Sequence, residues 1–192
     1  MYYLTLEVES QLRIWRKCKT MEYFDLYTST RRPLGRSVMR GAPIPRGEYH
    51  IVVQVMTINS DGKILLTQRV PQKTSGGKWE CSGGCAVSGE TSRQAAVREL
   101  FEETGIRAEE HELIPEWTLT TDSMLRDFYV VVKDVPLSRL HLQTIEVCAA
   151  KWVSLERLYE MARLGQTTRT VARWLDIRGD KLGDLIKDII YN

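Results

Sequence analysis

Gly84-Cys-Ala-Val-Ser-Gly-Glu90, Thr91-Ser-Arg-Gln-Ala-Ala-Val97 and Arg98-Glu-Leu-Phe-Glu-Glu-Thr-Gly-Ile106 follow one another without a break in this 192-residue chain, and they hold a helix with both ends marked. Thr91 with Gln94 three positions on has the spacing of a capping box, in which a hydroxyl and a carboxamide satisfy two orphan amides at a helix start. Gly105 can take the left-handed conformation that closes a helix. The spacing therefore predicts a helix over Ser92–Thr104. At about 100° per residue, Glu103 and Glu102 fall roughly 40° and 60° to either side of Glu99, so three carboxylates share one arc. Ala96, Val97, Leu100 and Phe101 lie opposite and are expected to face the core, while the small Ala95 leaves room beneath the acids. Like charges at these spacings repel, and the one guanidinium of Arg98 does not neutralise three carboxylates. Such an arc is either a solvated charged face, the common case, or a seat for a hard divalent cation. Mg²⁺ or Mn²⁺ takes oxygen ligands and keeps water positions that a phosphate can share.

The wider pattern favours the cation. The stretch resembles the Nudix box: Gly, five residues, Glu, seven residues, Arg-Glu, a bulky aliphatic residue, any residue, Glu-Glu, any residue, Gly and a bulky aliphatic residue. Gly84, Glu90, Arg98, Glu99, Leu100, Glu102, Glu103, Gly105 and Ile106 fill every fixed position. The resemblance implies an α/β fold of the Nudix type, an α/β/α sandwich with a mixed β-sheet. It implies a divalent-metal site of Glu99, Glu102, Glu103 and the backbone carbonyl of Gly84, and a pairing of Arg98 with Glu90 that fixes the loop to the helix. Members of the family often add an acid from a later loop or strand, and Glu146 occupies a similar place.

The reaction implied is Mg²⁺- or Mn²⁺-dependent hydrolysis of a diphosphate linkage in a nucleoside diphosphate derivative or a related organic pyrophosphate. Such chemistry needs charge neutralisation and an in-line water. A carboxylate must take the proton of that water; Glu99 is the first choice as base and Glu146 the second. Arg69, at a strand end, resembles a position where relatives often place Arg, and Lys73 and Lys78 lie on a Gly-rich loop expected to be mobile. These three are the candidate ligands of a small-molecule diphosphate substrate.

Outward from the box, Glu22–Arg36 reads as a hairpin around Ser29-Thr30-Arg31-Arg32-Pro33, and residues 1–20 as an appendage, with Met21 as a candidate translation start. His50–Ile58 and Lys63–Thr67, joined by Asn59-Ser60-Asp61-Gly62, read as adjacent antiparallel strands. Strands are expected at Glu116–Thr120, Asp127–Val132 and Glu146–Val153, then a helix Leu155–Leu164 capped by Ser154, and a helical stretch Thr168–Ile190 interrupted near Gly179. Residues 21–192 are thus expected to form one Nudix domain, with C-terminal helices over 155–190.

Composition narrows the classes. A formal net charge of +2 is far from the balance of a dedicated nucleic-acid binder. The run Arg31–Arg46 carries five arginines and no acid, yet it lacks interleaved aromatics, which argues against a nucleic-acid groove. No stretch approaches the length of a membrane span; Ile51–Ile58 is short and carries Gln54. The N-terminus lacks a secretory pattern, and four cysteines, of which only Cys81 and Cys85 lie close together with no second Cys/His pair to complete a zinc site, suit a reducing, cytoplasmic setting better than disulfides or zinc. Trp79 and Trp152 read as packing residues, and a homodimer is compatible with the chain.

Two other functions compete. Gly47-Glu-Tyr-His50 after an N-terminal hairpin is similar to isopentenyl-diphosphate isomerase, which needs a catalytic Cys; counting back from Glu90 puts Gly83 there, with Cys81 two residues away. A non-catalytic nucleotide-sensing module would have no need of the intact acids.

Overall fold

His50–Ile58 is buried at every position, and the rest of the fold is arranged around it. A computed structural model describes residues 22–191, so the appendage expected at 1–20 and the start proposed at Met21 lie outside the described residues. Tyr23–Tyr27 (β1) and Pro33–Met39 (β2) form the hairpin, three residues longer than the sequence suggests. His50–Ile58 (β3), Ile64–Arg69 (β4), Trp79–Glu80 (β5), Ser82–Cys85 (β6), Ile114–Thr121 (β7), Met124–Val132 (β8) and Val147–Val153 (β9) form one mixed sheet. β8 runs parallel to β3 along its whole length, from His50↔Met124 to Ile58↔Val132, and β7 pairs antiparallel with β8.

On its other side β3 changes partner. It meets β4 only at Ile58↔Ile64, beside the Asn59–Gly62 turn, and further along it pairs with β6 from Val55↔Ser82 to Val52↔Cys85. β4 turns away to pair with β9 and β5. The sheet therefore forks, and the fork opens a cleft between β6 and the β4–β9 pair.

A strand buried on both faces reads as continuous rather than alternating apolar sequence, and both faces of β3 are covered. Val53 and Val55 pack with Leu65, Leu125 and Val131 against Ala95, Ala96 and Leu100 of helix α1 (Ser92–Thr104). Met56 and Ile58 pack with Leu66, Phe128 and Val130 against Leu158 and Met161 of α2 (Leu155–Arg163) and Trp174 and Leu182 of α3 (Arg169–Tyr191). The result is the expected α/β/α sandwich.

Two expectations are corrected. α3 runs through Gly179 without a break, because that glycine answers a neighbour rather than a bend: a Cβ there would collide with the Tyr159 hydroxyl of α2. In α1 the Thr91–Gln94 capping box and the left-handed Gly105 are present, but Phe101 is 42% exposed, under the Arg107 guanidinium 4.5 Å from its ring centre. Glu99 and Glu103 are buried instead. The Gly83–Gly84 strand they face has no side chains to hold the helix off, so α1 turns its carboxylates inward.

Candidate active site

The fork in the sheet holds a cavity of about 330 Å³. β3 supplies Val52 and Gln54, β6 supplies Gly83, Gly84 and Cys85, and α1 sends Glu99 across the glycines. Arg69, Lys73, Glu80 and Glu146 line the opposite wall, with Arg40, Arg126 and Thr170 at the remaining side. Glu99 lies so close to Gly84 that a Cβ on this glycine would fall on its carboxylate. Glu103, directly behind, accepts from the Gly83 amide at 3.3 Å. Glu99 and Glu103 are each 2% exposed, and Glu146 is 6% exposed.

Four carboxylates, Glu80, Glu99, Glu103 and Glu146, thus crowd one small volume. Burial first, and then the charges of Glu99, Glu80 and Glu146, push Glu103 well above the ordinary carboxylate range. Burial also raises Glu80, against the opposing pull of Arg69. Lys73 Nζ contacts Glu146 Oε2 at 2.5 Å, and the Arg69 guanidinium pairs with Glu80 while its Nε donates to the Thr74 carbonyl at 2.8 Å.

Arg98 ties the loop to the helix as expected. Its Nε and Nη2 reach Glu90 at 2.7 and 3.0 Å, and Nη2 also donates to the Cys85 carbonyl at 3.0 Å. Its Nη1 donates to Glu99 at 2.9 Å and Glu102 at 3.3 Å. Burial works against this charge, but hydrogen bonding to Glu90 and the charges of Glu99 and Glu90 outweigh it and raise the Arg98 pKa. Among the described residues no three acidic, His or Cys side chains close on a single point as ligands do. Glu99 and Glu102 share Arg98 Nη1 instead.

The donor set nevertheless suits a hard divalent cation. It consists of carboxylate oxygens beside a glycine backbone, with buried negative charge in excess, which is what Mg²⁺ or Mn²⁺ binds. Because Nε and Nη2 are anchored on Glu90, only the Nη1 contacts of Arg98 need yield to such an ion.

The structure brings together Gly84, Glu99, Glu103, Glu146, Arg69 and Lys73, with Arg98 and Glu90 behind them. Glu102 lies at the rim, its side chain 35% exposed. Lys78 is not in the cavity, since its ammonium binds the Gly165 carbonyl after α2. The loop expected to be mobile is tied down by Gly76 N to Lys73 O, Gly77 N to Arg69 O and Gln68 Nε2 to Gly77 O, each at 2.9 Å. The arginines of 31–46 are largely consumed in pairs: Arg31 with Asp127, Arg36 with Glu48 and Arg40 with Glu22. Trp79 lies under Lys151, 3.9 Å from its ring centre, and Trp152 donates to the Val135 carbonyl at 3.1 Å, so both pack as expected.

Glu80, Arg126 and Thr170 are not marked by the sequence, and Gln54 is marked only as a break in an apolar run. That break is the signal: the buried Gln54 Oε1 has no hydrogen-bond partner among the described residues. Arg126 and Thr170 gave none, because long-range pairing alone brings them here. The geometry also bears on the isomerase alternative. A Cβ at Gly83 would strike the Val53 carbonyl, so no cysteine fits that position without a shift of β3 or β6. Cys81 is 1% exposed, and burial drives its thiol far up from the usual range.

Residues 48–175 match the model of the NUDIX domain family. An uncharacterized Nudix hydrolase of Listeria innocua is 34% identical over 148 residues, covering 76% of this chain and 88% of the relative. An isopentenyl-diphosphate Δ-isomerase of Pectobacterium atrosepticum is 29% identical over 153 residues, covering 72% and 79%. Among solved structures, that of DR0079 from Deinococcus radiodurans superposes with a TM-score of 0.64 at 23% identity, over 79% of this chain and 98% of the other, which supports the fold.

Proposed function

This chain belongs to the Nudix family and is a pyrophosphohydrolase of it, and from that premise we propose that it cleaves, with Mg²⁺ or Mn²⁺, the diphosphate linkage of a nucleoside diphosphate derivative or a related organic pyrophosphate. The observation that carries the reading is the burial of Glu99 and Glu103 against the side-chain-free Gly83–Gly84 strand, where two carboxylates crowd without enough positive charge between them. A merely solvated acidic helix face would leave both in water.

Glu99, Glu102, Glu103 and the Gly84 backbone would hold the ion. When bound, the ion neutralises charge on the diphosphate and lowers the pKa of water. The rest falls to the chain. Arg98, anchored on Glu90, keeps the box loop against α1, so the acids and the Gly84 backbone stay in register. Lys73 and Arg69 stand on the wall across from the acids and can turn from Glu146 and Glu80 to the phosphate oxygens, guanidinium and ammonium being the usual partners of such groups. Water attacks one phosphorus, the bridging P–O bond breaks with its electron pair passing to the departing phosphate, and a carboxylate takes the proton of the water. Glu99 is the first choice for that proton and Glu146 the second. Lys73 Nζ lies 2.5 Å from Glu146 Oε2, so the second candidate is engaged until that lysine turns to the phosphate.

The test is a panel of nucleoside di- and triphosphates, nucleotide sugars, dinucleoside polyphosphates, coenzyme A and prenyl diphosphates, assayed for released phosphate, pyrophosphate and nucleotide. Hydrolysis is expected with Mg²⁺ or Mn²⁺ and none with EDTA. Glu102→Gln and Glu103→Gln are each expected to reduce it by about 10³-fold or more, with the circular dichroism spectrum unchanged. Near-normal turnover in both variants would overturn the metal assignment, and double-bond migration in isopentenyl diphosphate in place of phosphate release would overturn hydrolysis.

A further inference from the structure

The strand registers carry one row of side chains out of the carboxylate cavity. Cys85 lies beside Val52, Val52 beside Arg126, and Arg126 beside Leu119, across β6, β3, β8 and β7. At the far end of this row a second cavity, of about 290 Å³, is lined by Leu119, Thr121, Asp122, Arg126, Arg169 and Arg173. Arg126 and Thr170 line both cavities, so the two adjoin.

Positive charge dominates this annexe. Arg126 is half-buried, and among the described residues its guanidinium donates to Met124 Sδ at 2.9 Å and Thr121 Oγ1 at 3.4 Å. Among the described residues none of Arg126, Arg169 and Arg173 has a carboxylate within ion-pair distance. This contrasts with Arg31, Arg36, Arg40, Arg69, Arg98 and Arg178, each of which is paired. Burial acts most strongly against the charge of Arg126; Cys85 and Asp122 favour it in part, and the nearby Arg173 opposes it. A half-buried guanidinium beside other arginines, influenced by Asp122 but not ion-paired with it, gains most from an anion of planar, multi-oxygen shape. The α3 N-terminus, where Arg169 and Thr170 sit, adds partial positive charge on the same side. Buried Gln54, with its orphan Oε1, lines the carboxylate cavity beside the row and offers the bound molecule a further polar contact.

We propose that Arg126, Arg169 and Arg173 form a second anion subsite, which takes a phosphate group that the substrate carries apart from the scissile diphosphate. The proposal rests on the reading of the carboxylate cavity as the place of hydrolysis. It narrows the substrate class to organic diphosphates with a further phosphate elsewhere in the molecule.

Matched pairs that differ by such a phosphate test it: coenzyme A against dephospho-coenzyme A, NADPH against NADH, and guanosine 5′-diphosphate 3′-monophosphate against GDP. Binding to the full chain is measured by calorimetry in EDTA, and kcat/KM with Mg²⁺. In at least one pair the phosphorylated member is expected to bind tenfold or more tightly, with kcat/KM in the same order. Arg169→Ala combined with Arg173→Ala, both exposed positions, is expected to bring that ratio to near one while leaving the other member within twofold. Equal binding within every pair, or a double variant that weakens both members alike, would overturn the subsite. A preference for the extra phosphate in binding, without any metal-dependent turnover, would instead sink the hydrolysis reading and leave the subsite standing.

Discussion

Gly83 and Gly84 are neighbours on one strand, yet a methyl group at each meets a different kind of obstacle. At Gly83 it meets the backbone of β3, which cannot give way without breaking the β3–β6 pairing; at Gly84 it meets the end of the Glu99 side chain. Gly83→Ala is therefore expected to cost stability, about 1–3 kcal/mol by urea unfolding, whereas Gly84→Ala is expected to unfold nearly as the parent does and to lose at least about tenfold in kcat/KM, through a displaced Glu99. The reverse outcome would show that Glu99 is not the group held against Gly84. At this scale the sequence was most legible where chemistry and spacing coincide: Arg98 pairs with Glu90, and Glu99 and Glu103 stand beside the Gly83–Gly84 strand. It misled at Lys78, since proximity in a loop says nothing of which way a long side chain runs. It was silent on Glu80, one acid among 25 Asp and Glu.

Elements with caps were read from sequence almost to the residue, because caps are local chemistry: Thr91 and Gly105 bound α1, and Ser154 opens α2. What caps do not report is what a helix packs against. The sequence shows Gly179 as a weak point, and the structure shows it as a socket for Tyr159. Alanine is the better helix former by about 1 kcal/mol, yet Gly179→Ala is expected to destabilise by about 1–3 kcal/mol. In a Tyr159→Phe background, which removes the nearest atom, the loss should shrink; an equal or greater loss there would place the cause elsewhere. The hairpin is fixed by a second such contact. Arg31 holds the left-handed φ of 63°, unusual for a side chain of its size, and spans to Asp127 of β8 at 2.5 and 3.0 Å, with Ser92 of α1 donating to the same carboxylate at 2.5 Å. Arg31→Ala leaves that buried acid with the hydroxyl alone. A loss of about 2–3 kcal/mol is expected, partly recovered when Asp127→Asn is added. Simple additivity of the two losses would count against the clamp.

For the molecule as a whole, acid should act through His50 as well as through carboxylates. His50 is 5% exposed, stacked 5.0 Å from Phe24, and its Nδ1 has no partner among the described residues. Burial, and then Arg126 and Arg40, lower its pKa from 6.5 to about 4. As the pH falls below 6.5 the unfolded chain takes a proton that the folded chain refuses until about 4, so stability present above 6.5 is lost across that window, by up to about 3 kcal/mol. Unfolding curves at pH 7, 5 and 4 should show this loss reduced in His50→Gln; identical pH dependence in the two proteins would dismiss the histidine. The architecture was legible as a class, an α/β/α sandwich, from the order of strands and helices. Strand order was not, because pairing across the chain depends on register and burial rather than on any local signal: nothing near His50 says that Met124–Val132 will lie alongside it. That pairing has a kinetic corollary. During synthesis the greasiest strand leaves the ribosome long before its parallel companion is made, and α1, with its two sequestered acids, follows with only half a platform to settle on. Folding in the cell must therefore wait for Val132, and a nascent polypeptide stalled before it would be a natural client for chaperones that shield exposed aliphatic segments.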